Sequence, residues 1–430
     1  MRGGATRSGV VRGMRKSLGA VALSAALAAC GGGDSPHSNY AWVQLGPGGE
    51  ATVRVITSAL ECPAVLVDGE LELPMAARAE PEPPLFSVRT CEASLPAGAR
   101  TAAVDGTELR APVADPQIIA VIGDTGCRLS STQTQSCNDP VAWPFEQIAT
   151  SVAATRPDLI VHVGDYLYRE APCPEGDAGC AGSPWGYNWP TIEADFFAPA
   201  RRLLPAAPLA LVRGNHESCS RAGPVWFRFL DPRPLEPECS DYTEPYAIEG
   251  AGPQLLMLDS SAANDDMIDP SQVALYQPQF AEIDRLARED SLLLTHRPIW
   301  GFGHDGVENG MEVLFEDNVT LQAASDSVLP PGVRAVLSGH IHLLELLSFD
   351  GPRPPQLIVG NSGVAMDDPI TTPLAGLEIA GGTVRDGLTY VRFGFTTLER
   401  DVGGWRVVTR DETGAPLTEC FLSREGLACP

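Results

Sequence analysis

The sequence lacks several features that mark common classes of protein. Outside the first thirty residues, no apolar run approaches the roughly eighteen residues that a membrane-spanning helix needs. Basic residues are few, because 30 Lys and Arg face 55 Asp and Glu, and the net charge is −25. Such a surface repels nucleic acid and anionic lipid head groups, so we expect neither as a direct partner. Internal repeats and low-complexity tracts are also missing.

The cysteines lack the Cys-x-x-Cys spacing of zinc knuckles, which argues against a thiolate metal site. The chain has eleven cysteines. Setting Cys30 aside leaves an even number, which is typical of proteins in an oxidising compartment. The sequence does not fix their connectivity, but they fall into near-neighbour pairs. We predict five disulfides: Cys62–Cys91, Cys127–Cys137, Cys173–Cys180, Cys219–Cys239 and Cys420–Cys429.

Residues 1–30 have the pattern of a targeting segment. A leader with five basic and no acidic residues precedes a short apolar run, Leu18 to Ala29, which ends at Cys30 and three glycines. This resembles a bacterial lipoprotein signal, in which Cys30 is lipidated and becomes the first residue of the mature chain. The alternative is a plain secretory signal with an incidental cysteine, and Met14 could be the true start. Either interpretation predicts an exported protein, at the outer membrane, in the periplasm or on the cell surface, whose only membrane contact is a lipid on Cys30.

Composition and periodicity predict two folded regions after a short tether at residues 31–39. Residues 40–113 show short alternating strands separated by Gly- and Pro-rich turns, which predicts a small β-sandwich-like domain. Residues 114–430 alternate strands with helices, which predicts a layered α/β domain. We expect helices over 143–156, 191–204 and 271–290, long loops over 171–190 and 302–329, and late strands at a sheet edge.

Five apolar runs, each predicted to be a strand, end in side chains that can bind metal. Because open α/β sheets bind ligands at the carboxyl ends of their strands, these side chains are expected to form one site. The runs begin at Ile118, Leu159, Leu209, Leu292 and Ala335, and they lead into Gly123-Asp124-Thr125-Gly126, Gly164-Asp165-Tyr166-Leu167-Tyr168, Gly214-Asn215-His216-Glu217, Thr295-His296 and Gly339-His340-Ile341-His342.

The donor types indicate which metals the site holds. Two aspartates, one asparagine and three histidines form a mixed nitrogen and oxygen set, which suits first-row transition metals better than calcium or magnesium. Six protein ligands are more than one zinc ion takes, so two ions that share a carboxylate are expected.

Taken in order, the five blocks resemble those of the calcineurin-like metallophosphoesterases, and most of all the purple acid phosphatases. The resemblance runs from about Ile118 to His342, with one small departure at Leu293, where the family often has valine. It implies an α/β/β/α layered sandwich and a dinuclear centre bridged by Asp165. A ferric ion would be bound by Asp124, Tyr168 and His342, and a divalent ion (iron, zinc or manganese) by Asn215, His296 and His340.

A count of charges independently favours the ferric ion. Two aspartates and an ionised Tyr168 supply three negative charges, so Fe(III) with a divalent ion leaves about two positive charges for a phosphate dianion. We therefore predict hydrolysis of small phosphomonoesters by a metal-bound hydroxide. His216 is the candidate acid or phosphate-orienting group, and His304 is a second catalytic candidate; the resemblance supports both.

Other interpretations remain open. Tyr168 could be a core aromatic beside a colourless pair of divalent manganese or zinc ions. The same scaffold could serve a phosphodiesterase or a nucleotide pyrophosphatase. A hypothesis of a different class is a non-catalytic binding lipoprotein, although none of the seven expected ligands is missing from the sequence.

Overall fold

The computed structural model describes residues 40–250 and 252–430. The predicted leader and tether, residues 1–39, lie outside the described residues. The strands before residue 113 are β1 (Tyr40–Leu45), β2 (Ala51–Thr57), β3 (Ala64–Val67), β4 (Leu71–Pro74), β5 (Ala76–Ala79), β6 (Arg89–Ser94), β7 (Thr101–Val104) and β8 (Thr107–Arg110).

The strands of the larger region divide between its centre and its tail. Those up to residue 338 are β9 (Ile118–Ile122), β10 (Leu159–His162), β11 (Leu209–Leu211), β12 (Tyr246–Ile248), β13 (Leu255–Met257), β14 (Ser291–Leu294), β15 (Phe302–Glu308), β16 (Met311–Glu316) and β17 (Val333–Ser338). The later strands are β18 (Leu344–Phe349), β19 (Gln356–Val359), β20 (Glu378–Ile379), β21 (Gly382–Tyr390), β22 (Gly394–Asp401), β23 (Gly404–Asp411), β24 (Pro416–Ser423) and β25 (Gly426–Ala428).

Helices are few and mostly short. The α-helices are α1 (Phe145–Ala154), α2 (Trp189–Ile192), α3 (Gly223–Val225), α4 (Pro270–Leu286) and α5 (Val319–Ser325). The 3₁₀ segments are Pro47–Gly49, Pro199–Arg202 and Asn215–Glu217, and the π segments are Glu193–Phe197 and Trp226–Leu230. No helix of the described residues has the length and apolarity needed to span a membrane.

Two large sheets form the centre of the fold. The first has the order β25-β24-β23-β22-β9-β10-β11-β1-β2-β6-β5, and the second has the order β12-β13-β14-β17-β19-β18-β21-β20. Strands β9, β10 and β11 are parallel to one another, as are β13, β14, β17 and β19. The parallel strands are buried on both faces, which explains why their sequences are continuous apolar runs rather than alternating ones.

The buried side chains define four layers. Val121 of the first sheet packs in one core with Leu294 of the second sheet. The opposite face of the first sheet packs against α1, through residues such as Ile148. The opposite face of the second sheet packs against α4, through residues such as Ile283. The predicted α/β/β/α sandwich is therefore confirmed.

The N-terminal strands form a β-sandwich that shares a sheet with the larger region. Strands β3, β4, β7 and β8 make a separate four-stranded sheet, whose core includes Val43, Val53 and Val65. Strands β1, β2, β5 and β6, however, extend the first large sheet, because β1 pairs in parallel with β11 at Gln44 and Leu209. The described residues thus belong to one compact unit that the predicted boundary at residue 113 does not divide.

Two local features differ from the sequence-based expectation. The segment 302–329, expected to be a loop, contains the β15–β16 hairpin and α5. The late strands, expected at one sheet edge, divide between the two sheets, because the chain leaves the second sheet after Tyr390 and enters the first at Gly394. The five predicted disulfides are all formed.

Candidate metal centre

The five motifs meet at the carboxyl ends of the parallel strands of both sheets. Strands β9, β10 and β11 are neighbours in one sheet, and β14 and β17 are neighbours in the other. Asp124, Asp165 and His340 have positive φ angles of 56°, 60° and 76°. Such left-handed backbone is uncommon in residues other than glycine and is concentrated at functional sites. These sharp turns bring the two sheets' strand ends together, so that His340 N donates to Asp124 Oδ2 at 3.1 Å.

The first group of donors is centred on the Tyr168 phenol. Its Oη lies 2.9 Å from Asp124 Oδ1, 2.7 Å from Asp165 Oδ2 and 3.0 Å from His342 Nε2. The side chains of Tyr168, Asp124 and Asp165 are at most 1% exposed. Burial first, and then the two carboxylates, raise the pKa of Tyr168 well above its ordinary value. The phenol is therefore neutral unless a strong positive charge binds beside it.

The second group of donors is centred on the Asn215 amide oxygen. Asn215 Oδ1 lies 2.8 Å from His296 Nε2 and 3.0 Å from His340 Nδ1. His296 Nε2 is also 3.2 Å from Asp165 Oδ2. The same carboxylate oxygen thus contacts both groups. The structure brings together all seven side chains that the sequence predicts as ligands, in two groups that share Asp165.

Each of the three histidines directs one ring nitrogen into the site and holds the other on a protein acceptor. The outward nitrogens are His296 Nδ1, 2.8 Å from Val163 O; His340 Nε2, 3.1 Å from Asp265 Oδ2; and His342 Nδ1, 3.4 Å from Asp367 Oδ1. At His296 and His342 an outer acceptor of this kind fixes the tautomer, so that the inward nitrogen keeps a lone pair for a metal, whereas His340 Nε2 is shared between Asp265 and Arg297 Nη1, which lies 2.9 Å away. This pattern is typical of metal-binding histidines.

Glycines leave space for the carboxylates at the centre. A Cβ added at Gly339 would overlap Asp124 Oδ2, and one added at Gly214 would overlap Asp165 Oδ1. The absence of side chains there lets the strand ends of the two sheets approach each other. Together with the mixed oxygen and nitrogen donors, this close approach fits a pair of transition-metal ions better than an ordinary polar core.

His216 borders the same space on the side of Tyr168. Its ring centroid is 3.9 Å from that of Tyr168, and its Nε2 is 3.9 Å from Asp165 Oδ2. The ring is fixed from outside by Leu167 O, 3.1 Å from Nδ1, and by Glu170 Oε1, 3.4 Å from Nδ1. Burial lowers the pKa of His216 to about 4, although Asp165 acts in the opposite direction. The imidazole is therefore neutral near pH 7 and must gain a proton on Nε2 before it can donate one to a substrate.

Two arginines beside the centre, Arg128 and Arg221, lie outside the five sequence motifs. Arg221 donates to Glu170 Oε1 at 2.6 Å and also contacts His216. Arg128 lies over the Tyr168 ring at 4.7 Å and reaches His342. No spacing rule marks either residue in the sequence. Arg213 and Arg297, which flank predicted ligands, pair with Asp259 and Asp265 respectively.

Within the part of the chain that the structure describes, His304 is the one predicted site residue that forms no hydrogen bond or ion pair with the ligand groups. It lies on β15, where its ring nitrogens are 3.9 Å from Glu312 and 3.8 Å from Asp368. A catalytic role for His304 therefore stays a prediction.

Two buried carboxylates hold the loops that carry the donors. Glu217 accepts from the backbone N–H groups of Tyr166 and Gly214, at 2.9 and 3.2 Å, and so ties the ends of β10 and β11 together. Burial raises the pKa of Glu217 to about 8. Asp195, in the π segment, accepts from the backbone N–H of Tyr168 at 2.8 Å. Both residues fix the backbone beside a predicted ligand.

The fold and the donor set together define a metal-dependent phosphoric ester hydrolase. The chain belongs to the calcineurin-like phosphoesterase family, whose sequence profile matches residues 118–344, just over half of the chain. The resemblance predicted from the five motifs is thereby confirmed. The family uses divalent metals and acts on phosphorylated substrates.

Two solved structures share the fold at low sequence identity. The purple acid phosphatase PPD1 from yellow lupin (Lupinus luteus) seeds is 14% identical with a TM-score of 0.55, over 89% of this chain and 73% of that one. PhoD is 10% identical with a TM-score of 0.53, over 91% of each chain. No curated protein is similar enough in sequence to count as a significant match. Identities this low establish the shared fold alone.

Proposed function

We propose that this protein is an exported phosphomonoesterase with a dinuclear Fe(III)–M(II) centre, in which M is iron, zinc or manganese. The observation that carries the proposal is the sharing of Asp165 Oδ2 between two donor groups, 2.7 Å from Tyr168 Oη and 3.2 Å from His296 Nε2. One carboxylate oxygen between two such groups is the arrangement that a bridging ligand needs.

The donors divide by chemical character between the two proposed ions. Asp124 and Tyr168 offer hard, anionic oxygens together with His342, which suits a trivalent ion. Asn215, His296 and His340 offer one neutral oxygen and two nitrogens, which suits a divalent ion. With Asp165 shared, the ligands carry three negative charges once Tyr168 is ionised, and Fe(III) with a divalent ion leaves about two positive charges.

In this proposal the bound cations supply positive charge for the phosphate and acidify water for attack on phosphorus. The protein contributes geometry. Asp165 is oriented by the backbone N–H of His216, which donates to its Oδ1 at 2.8 Å. His216 Nε2 faces the centre beside Asp165, so it is placed to orient the phosphate or to protonate the leaving oxygen.

Export is a further part of the proposal, with a lipid on Cys30 as the membrane anchor. The five disulfides support an oxidising compartment, because cytosolic proteins rarely keep structural disulfides. We expect the wild type to incorporate radiolabelled palmitate and Cys30→Ser to lose this incorporation. Processing without lipid would instead favour a plain secretory signal.

A matched pair of tyrosine variants tests the ferric assignment. Purified protein with two metal ions per chain is expected to be coloured, because a phenolate bound to Fe(III) absorbs visible light. Tyr168→Phe should abolish the colour. Tyr166→Phe is the control, because the Tyr166 hydroxyl donates to Val212 O at 2.9 Å and lies outside both donor groups. A colourless wild type with two bound divalent ions would refute the ferric centre.

Substrate class is tested by comparing an aryl phosphomonoester with the corresponding diester on metal-quantified protein. The proposal predicts a higher kcat/KM for the monoester. A preference for the diester would favour the phosphodiesterase or pyrophosphatase hypothesis. Turnover of neither ester by metal-replete protein would favour the non-catalytic binding lipoprotein.

A further inference from the structure

Four arginines lie close to the candidate metal centre, and they differ in how their charge is balanced. Arg213 pairs with Asp259 at 3.2 Å, Arg221 pairs with Glu170 at 2.6 Å, and Arg297 pairs with Asp265. Arg128 is different. Within residues 40–250 and 252–430, no carboxylate lies within ion-pair distance of its guanidinium.

The guanidinium of Arg128 is nevertheless held in one place. Its carbon lies 4.7 Å from the centre of the Tyr168 ring, and Nη2 lies 3.3 Å from His342 Nε2. A bound metal would take that lone pair of His342, so Nη2 would lose its partner. Arg128 Nε is buried and has no hydrogen-bond partner among the described atoms. The side chain is half-buried, so its charge is only partly solvated.

The backbone at Arg128 is fixed independently of any ligand. The Cys127–Cys137 disulfide closes the loop, and Gln135 Oε1 accepts from Arg128 N at 2.9 Å. The next residue, Leu129, donates through its N–H to Tyr168 O at 3.1 Å. The loop is thus tied directly to the segment that carries a predicted metal ligand. A preorganised charge of this kind loses little entropy when a ligand binds.

The carboxylate of Asp367 interacts with Arg128 through its charge but has another direct partner. Its Oδ2 accepts from His342 N at 2.8 Å, and its Oδ1 lies 3.4 Å from His342 Nδ1. Asp367 therefore holds His342 and leaves the guanidinium N–H groups of Arg128 without a carboxylate partner. An unpaired guanidinium is unexpected in a chain with 55 acidic residues and 30 basic ones, unless an anion binds there.

We propose that Arg128 binds the non-bridging oxygens of the substrate phosphate and selects doubly charged monoesters over singly charged diesters. The inference rests on the proposed phosphatase function and adds a specificity-determining residue to the same site. The planar fork of arginine matches two phosphate oxygens, and a monoester dianion has one more terminal oxygen and one more charge than a diester.

The test uses full-length mature protein loaded with metal, and the variants Arg128→Ala and Arg128→Lys. Inorganic phosphate is the probe in calorimetry, and an aryl monoester and its diester are the probes in kinetics. Arg128→Ala should weaken phosphate binding and monoester kcat/KM by about 10- to 100-fold, with diester kcat/KM changed by about threefold or less. Arg128→Lys should fall between the wild type and Arg128→Ala, because it keeps the charge and loses the fork.

Arg201→Ala is the matched control. Arg201 also lies over a tyrosine ring, at 4.5 Å from the centre of Tyr40, but it belongs to a 3₁₀ segment and, among residues 40–250 and 252–430, forms no hydrogen bond or ion pair with either donor group. Its phosphate affinity and kinetics should equal those of the wild type. Metal content and melting temperature, measured on every variant, separate phosphate binding from support of the centre.

Several outcomes would overturn the proposal. These are an unchanged phosphate affinity in Arg128→Ala, an equal fall for monoester and diester, or a loss of metal that accounts for the whole effect. If the wild type hydrolysed neither ester, the proposed function would fail. Phosphate binding by the wild type and Arg128→Ala would still decide the role of Arg128, and a wild type that binds no phosphate would refute it.

Discussion

Replacing Asp195 removes the carboxylate that fixes the loops on two sides of the candidate centre. Asp195 is fully buried, and its two oxygens accept four hydrogen bonds. The donors are the backbone N–H groups of Cys127 (3.1 Å), Tyr168 (2.8 Å) and Arg169 (3.1 Å), and Arg169 Nε (2.5 Å). Loss of the carboxylate therefore leaves a buried guanidinium and three backbone N–H donors without an acceptor.

The expected loss of stability in Asp195→Ala follows from these four hydrogen bonds. Removing one partner of a buried ion pair costs about 3–5 kcal/mol, because the other charge stays buried without a partner. Asp195→Asn keeps one acceptor oxygen and should cost less, about 2 kcal/mol. Both variants should also bind less metal, because Tyr168 N loses its acceptor. Urea denaturation gives the free energy of unfolding, and elemental analysis gives the metal content.

Glu282→Gln is the control for this experiment. Glu282 pairs with Arg285 at 2.5 Å on the solvent-facing side of α4, and exposed pairs of this kind contribute little. Its denaturation midpoint and metal content should match the wild type. If Asp195→Ala were as stable as Glu282→Gln, the view that Asp195 holds the Tyr168 loop would be wrong.

Three further predictions concern other residues. Burial raises the pKa of Glu345 to about 8, so the native state keeps a proton that the unfolded chain releases above about pH 4.5. The free energy of unfolding of the wild type should therefore fall by an amount on the order of 3–5 kcal/mol as the pH rises from 5 to 8. Glu345→Gln should not show this fall, and denaturation of both proteins at both pH values measures it. Arg54 is fully buried and donates to Phe229 O at 3.0 Å and Asp231 O at 2.8 Å, so Arg54→Met should lower the unfolding free energy by about 3–5 kcal/mol; an unchanged value would contradict this. His304→Asn should lower kcat by about 100-fold or more with metal content unchanged if His304 is catalytic as predicted, whereas a kcat within about threefold of the wild type would contradict that role.

The central site was predictable because each of its parts is local in the sequence. An apolar run followed by glycine and a metal-binding side chain reports a buried strand and the turn after it, as at Asp124 and Asp165. The carboxyl ends of parallel strands meet, so five such patterns could be combined without knowledge of the full topology. The cysteine pairs were predictable for the same reason, since each pair is close along the chain.

The residues around the ligands were not predictable, because long-range packing brings them together. Arg128 and Asp367 lie in irregular loops separated by more than two hundred residues, and no periodicity marks them. The shared sheet depends on pairing between Gln44 and Leu209, which a reading of local patterns cannot detect. The β15–β16 hairpin was missed because Gly303, Gly306 and Asp305 interrupt the alternation of apolar residues.

Metal stoichiometry in single-ligand variants tests the central claim most directly. The account predicts two ions per chain in the wild type, about one in Asn215→Ala and close to none in Asp165→Ala, because both groups share the Asp165 carboxylate. Elemental analysis, with anomalous diffraction to locate the ions, makes the measurement. Two ions retained in Asp165→Ala, or a single ion in the fully loaded wild type, would contradict a dinuclear centre bridged by Asp165.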